Sequence, residues 1–175
     1  MKNIIYVVLA MLIFASCEKP NKIAFVNNGT LINDYQEKKD VEAKFQLKEE
    51  AFRKRADSIS QAFQEEAQKG QTEAQRLARS NRKKAEALMT GLQQKQQQLQ
   101  QQMQVEQQQL TQSFQSEIDS VIVNVKNFVH DYGKTNGYNY ILGTSDAAAT
   151  VMYGAEQSDL TQTILDALNA DYKKE

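Results

Sequence analysis

The sequence predicts a mostly α chain in which a long antiparallel helical hairpin, a coiled-coil-like arm, is inserted between the strands of a small β-rich body. Three observations carry this. The 175 residues contain one Pro and 23 Gln, and scarce Pro with abundant Gln, Glu, Lys and Ala favours long helices. Apolar residues in two long stretches recur in steps of four and seven. Short runs of β-branched and aromatic residues lie at both ends of the chain, outside those stretches. The apolar content agrees with an arm rather than one large core. Met1–Ser16 holds 13 of the 71 apolar residues, which leaves 58 among the other 159, and 16 of those are Ala. That is leaner than the roughly 45–50% usual for a globular domain.

The balance of residue types excludes several functions. A net charge of −1 and a pI near 6.0 argue against a bulk nucleic-acid binder, whose footprint is basic. One Cys excludes a disulfide framework, and one His makes a His-based metal or catalytic cluster unexpected. No cofactor is expected.

The first segment is an address. Lys2, the apolar run Ile4–Phe14 and the small residues Ala15 and Ser16 have the order of a secretory signal over residues 1–16. The run is too short to span a membrane, which takes about 20 apolar residues. Phe14-Ala15-Ser16-Cys17 resembles a bacterial lipobox, with Phe14 where Leu is usual. Cys17 is the expected lipid attachment, and residues 17–21 a short tether.

The body is expected at 22–29 and 133–175, split by an arm over 30–132. Lys22–Val26 reads as a strand and Asn27-Asn28-Gly29 as a turn, with helix from Thr30 or Leu31 to about Tyr132. In the first stretch the apolar positions are Val41, Phe45, Phe52, Ala56, Phe63, Ala67, Ala74 and Ala78. In the second they are Leu88, Leu92, Leu99, Met103, Leu110, Phe114, Val121 and Val125. Alternate steps of four and seven make an 11-residue repeat, which gives nearly straight helices with slight right-handed drift. The two arrays are three residues out of phase. A turn is therefore expected between Gly70 and Asn81, and the plain alternative is one unbroken helix. Gly91 is a candidate flex point.

Tyr138–Leu142 reads as a second strand, Gly143–Ala149 as a loop and Thr150–Tyr153 as a third strand. Ser158-Asp159-Leu160 leads into a last helix with Leu160, Ile164, Leu165 and Leu168 on one face, and Asp159 with Gln162 fits a capping box. So small a core calls for self-association. The expected oligomerisation body is Ile23, Phe25, Tyr140, Leu142, Val151 and Tyr153.

Several candidates carry no chemistry. Gly133-Lys134-Thr135 looks like the end of a phosphate-binding loop, but Phe128 stands where that loop needs Gly. His130 lies off the apolar face with no second ligand. Asn28-Gly29-Thr30 matches a glycosylation acceptor that is common by chance. The carboxylates lie along helix surfaces, so no enzyme is expected. Near the proposed turn, Arg76, Arg79, Arg82, Lys83 and Lys84 have no acid between Glu73 and Glu86. This basic tip suits anionic headgroups or acidic segments of a partner, or is simply solvated. Gln93–Gln115 is mostly Gln, interrupted by Leu99, Met103, Val105, Leu110 and Phe114. Such a face, with Met89, contacts many sequences without strong preference, or is the solvated side of a helix–helix seam.

Taken in order, the secretory segment, KIAFVN at 22–27, the Gln-rich hairpin, the run Asp131–Leu142 (DYGKTNGYNYIL), Val151-Met152-Tyr153 and Asp159-Leu160-Thr161 resemble the Skp/OmpH family of periplasmic chaperones. The resemblance covers nearly all of the chain after the signal. It implies a homotrimer whose strands build one hub, with three arms around a cavity that holds unfolded outer-membrane proteins without ATP. It also implies the periplasm-facing envelope of a Gram-negative-type bacterium. The lipobox departs from the family, whose members are often soluble. The rival reading is a structural or adapter coiled-coil lipoprotein with no chaperone activity.

Overall fold

A computed structural model describes residues 21–145, 148 and 150–173. The signal segment, Cys17 and the tether through Pro20 lie outside them. The described chain runs β1 (Ile23–Asn27), α1 (Asn28–Asp34), α2 (Gln36–Ala78), α3 (Arg82–Thr135), β2 (Tyr140–Thr144), a 3-10 turn (Glu156–Ser158) and α4 (Thr161–Tyr172). The fold class is the one the sequence predicts, with two long helices packed together and a small β part. β1 and β2 pair in parallel, from Ile23 opposite Tyr140 to Asn27 opposite Thr144. A parallel pair needs a crossover connection, and here the whole arm is that crossover.

Helix begins earlier than the sequence suggests. The Asn27 side chain accepts the Thr30 N–H at 3.1 Å and caps α1, so Asn28-Gly29 is a first turn of helix rather than a loop. One unbroken helix from Thr30 is also not what forms. Tyr35 adopts extended backbone (φ −63, ψ 130) and separates α1 from α2. The cause is tertiary. Tyr35 is buried with its ring edge-on to Tyr172, 5.9 Å between centroids, and the Gln36 N–H donates to Asn169 Oδ1 of α4 at 2.8 Å.

The arm reverses at Arg79–Asn81. Ser80 and Asn81 donate backbone N–H groups to the Leu77 carbonyl, and the Asn81 side chain caps α3 by accepting from Lys84 N–H. Gly70 and Gly91 lie inside helices. At the other end of α3, Gly137 takes φ 70, which closes the helix and turns the chain toward β2.

Two strand expectations need correction. The second strand starts at Tyr140, not Tyr138, because Tyr138 stays in the turn with its ring stacked on Tyr132, 6.4 Å between centroids. Thr150–Tyr153 forms no strand. The edge of β1 away from β2 is already used, since Phe25 bridges Asp159 and its carbonyl accepts the Leu160 N–H at 2.9 Å. The capping box is not formed either. Asp159 Oδ1 accepts from Thr161 N–H (2.8 Å) and Thr161 Oγ1 (2.5 Å), while Gln162 turns away to Asp166.

The main core gathers both ends of the chain. Ala24 and Val26 from β1, Leu31 and Tyr35, Val121 and Val125 from the base of α3, and Leu160, Ile164, Leu165 and Leu168 around α4 form one cluster. A second, smaller cluster of Ala74, Leu77 and Ala85 closes the tip. No α2 residue between Phe45 and Ala74, and no α3 residue between Ala85 and Val121, is buried. The arm is a thin seam pinned at its two ends. That matches its composition, because Ala and isolated large side chains leave little to bury.

Candidate binding and assembly surfaces

Successive side chains of a strand face opposite ways. With Ala24 and Val26 turned into the core, Ile23 and Phe25 face outward, and the parallel register sets Tyr140 and Leu142 beside them. Ile23, Tyr140 and Leu142 remain 49%, 61% and 44% exposed. Phe25 is half-buried because the chain at Gly154 passes over its ring. A Cβ there would stand 2.2 Å from Phe25 Cε1. Val151 and Tyr153 thus belong to a segment that crosses this outer face, with Tyr153 itself 88% exposed. The far edge of β2 has no strand partner among the described residues. An apolar face beside an open strand edge is a surface suited to association.

Along the arm, Phe45 packs on Phe114 with ring centroids 5.2 Å apart. Ion pairs Lys44–Glu117, Arg55–Glu106 and Glu66–Lys95 bridge the two helices, and Asn124 donates to both Glu37 oxygens at 3.0 and 3.2 Å. Exposed pairs contribute only about 0–1 kcal/mol each, so they set register more than stability. Leu99, Met103, Leu110 and Phe114 line shallow grooves between the helices, half-buried, whereas Val105 and Met89 are exposed.

At the tip, the five cations gather at the reversal but are not equivalent. Arg76 forks onto Glu73 (2.6 and 2.8 Å), and Arg82 meets Glu86 at 2.9 Å. Arg79, Lys83 and Lys84 are exposed and have no ion-pair partner among the described residues. The Arg76 hydrogen bond lowers the pKa of the Glu73 carboxyl from its ordinary value; desolvation opposes it, and the charges of Arg76 and Lys84 add to the lowering. His130 is exposed beside Asp131, its Nδ1 2.9 Å from Oδ1. Among the described residues no group of three His, Cys, Asp or Glu is placed to hold a metal, and no helix is long and apolar enough to cross a membrane.

Sequence reasoning missed how the body is closed. Lys22 N–H donates to Asn139 Oδ1 at 2.9 Å, and Asn139 N–H donates back to the Lys22 carbonyl at 2.8 Å. Lys22 Nζ reaches the Asn136 carbonyl at 3.0 Å and lies 3.9 Å from the centre of the Tyr138 ring. The first described strand is thus clasped to the end of α3. The turn residues Asn136–Asn139 were the available signal.

The family model described as Outer membrane protein (OmpH-like) matches residues 22–168. The chain belongs to the OmpH-like family. The match opens at Lys22, where the clasp begins, and ends at Leu168 in the α4 core, so it takes in both halves of the body and the whole arm. OmpH-like proteins are periplasmic, non-enzymatic chaperones of outer-membrane proteins, and membership supports that general function here. No curated protein matches the chain.

Proposed function

We propose that this OmpH-like chain is an ATP-independent holdase that keeps unfolded outer-membrane proteins soluble in the cell envelope, in a cavity between the arms of a homotrimer. The observation that carries it is the outward sheet face of Ile23, Phe25, Tyr140 and Leu142 beside the open β2 edge, on a body from which the arm projects. Partner copies cover that face in a hub, with Val151 and Tyr153 at its rim, and the hub fans three arms around one space. With 43 residues in α2, each arm reaches about 65 Å. Holding is passive and built from many weak contacts. Gly133-Lys134-Thr135 closes a helix, whereas a phosphate-binding loop opens one.

In this reading Cys17 carries a lipid and residues 17–21 link it to the body. Five extended residues reach at most about 17 Å. Lys22 is clasped at the base of α3, a helix length away from the basic tip. The body is therefore held at the anchoring surface, and Arg79, Lys83 and Lys84 are left to meet anionic groups far from the tether. Replacement of Cys17 by Ala should move the protein from the membrane to the soluble fraction. The deciding experiment is dilution of a urea-unfolded β-barrel protein into buffer with the full chain at near-stoichiometric ratio. Suppressed aggregation supports the holdase. Unchanged aggregation favours a structural or adapter role.

A further inference from the structure

The two helices of the arm differ in surface chemistry. α2 is charged along its length, and its charges pair mostly with one another or across the arm, as Arg53 does with Glu49 and Lys54 with Glu50. In α3 the 23 residues Gln93–Gln115 carry two charges, Lys95 and Glu106, and both are tied to α2 by ion pairs with Glu66 and Arg55. The same stretch has 14 Gln, every one exposed. Gln115 bonds Asp119 at 2.9 Å. The other 13 side-chain carboxamides have no partner among the described residues. Gln98, Gln101, Gln102 and Gln109 surround the exposed Val105 in a shallow depression on the helix surface, with Glu106, held by Arg55, at its side.

We propose that this amide strip of α3 is the surface that contacts unfolded client, and that its occupant is one extended segment of an outer-membrane β-barrel protein that presents its uncharged, lipid-facing side. This deepens the holdase reading and rests on it. A carboxamide is the side-chain equivalent of a peptide group, with two donors and an acceptor. It can satisfy the backbone N–H and C=O of an extended chain whatever that chain's sequence. Charge complementarity selects the client class. The strip has no unpaired charge, and the lipid-facing side chains of a transmembrane β-strand have none either, so where that face meets the strip neither side must desolvate an ion. Length fits as well. Gln93–Gln115 spans about 34 Å at 1.5 Å per residue, and a membrane-spanning strand of 9–11 residues extends about 30–37 Å at 3.3–3.4 Å per residue. Contact through neutral amides also makes binding insensitive to salt, because no counterions are released and no ion pairs are screened.

The test uses the full chain with Gln98, Gln101, Gln102 and Gln109 all changed to Ala, which keeps helix propensity and removes four amides. Binding of a urea-unfolded β-barrel protein is measured at low and high salt, beside circular dichroism and native mass. The expected result is unchanged helix and mass with about tenfold weaker binding, equivalent to ~1.4 kcal/mol, and wild-type affinity that changes less than about twofold with salt. Equal or tighter binding by the variant overturns the proposal while leaving the holdase reading intact, since apolar contact would tolerate Ala. Loss of the native mass instead assigns the strip to contacts between copies, and also overturns it. Failure of the wild-type chain to hold client at all overturns the holdase reading itself.

Discussion

Gly70 and Leu92 occupy each other's space across the arm: a Cβ at position 70 would stand 2.6 Å from Leu92 Cδ1. Gly70 is therefore a point of close approach between two helices. Gly70→Ala alone adds helix propensity, about 1 kcal/mol, and forces Leu92 to rotate. In a Leu92→Ala background the space is open, so the same change should be more favourable by about 0.5 kcal/mol or more. A double-mutant cycle by urea denaturation reads this coupling, and a value of zero would show that the contact does not matter.

The clasp between Lys22 and Asn139 joins residues 117 apart in sequence. Asn139→Ala removes the acceptor for the Lys22 N–H and leaves the reverse backbone bond in place. The expected cost is about 1 kcal/mol, with faster amide exchange at Lys22. Wild-type exchange at that amide would contradict the clasp.

Glu73 and Arg76 give the tip a small pH dependence. The folded carboxyl titrates below its ordinary value. Its contribution is thus present above the unfolded pKa and lost as pH falls through the lower, folded one, in acid below about pH 4. Both side chains are open to solvent, Glu73 less so than Arg76, so the effect belongs to local order at the tip. Carboxyl chemical shifts followed by NMR should show the Glu73 midpoint rise in Arg76→Ala. A midpoint that stays put would mean the guanidinium is not the cause.

The outer sheet face should govern assembly. Ile23→Lys combined with Leu142→Lys places two cations on that face without touching the inward Ala24, Val26 or Ile164. In the proposed trimer, native mass is expected to fall from three chains to one, with helical content retained. A mass unaffected by the pair of lysines would place the interface elsewhere.

Much of this architecture was legible along the chain. The 4–7 apolar spacing marks the arm because it reports local helix geometry, and the phase slip shows a reversal between its halves. Leu160, Ile164, Leu165 and Leu168 read as one face and are all buried together. Errors cluster where a remote contact overrides local preference. Tyr35 breaks a helix that its neighbours would continue, because Tyr172 and Asn169 hold it from 133 residues or more away. Thr150–Tyr153 has strand composition and no strand, because Asp159 and Leu160 take the edge it would need.

Local sequence thus determined that there would be an arm, roughly where it reverses, and which helix faces are apolar. Those are short-range properties of propensity and period. Tertiary structure alone decided that β1 and β2 run parallel in one register, that Ile23 and Leu142 share an exposed face, and that Lys95 and Glu106 are neutralised from α2. Each of these joins residues far apart in the chain, and such pairings become visible only when the arm has folded and brought its two ends to one place.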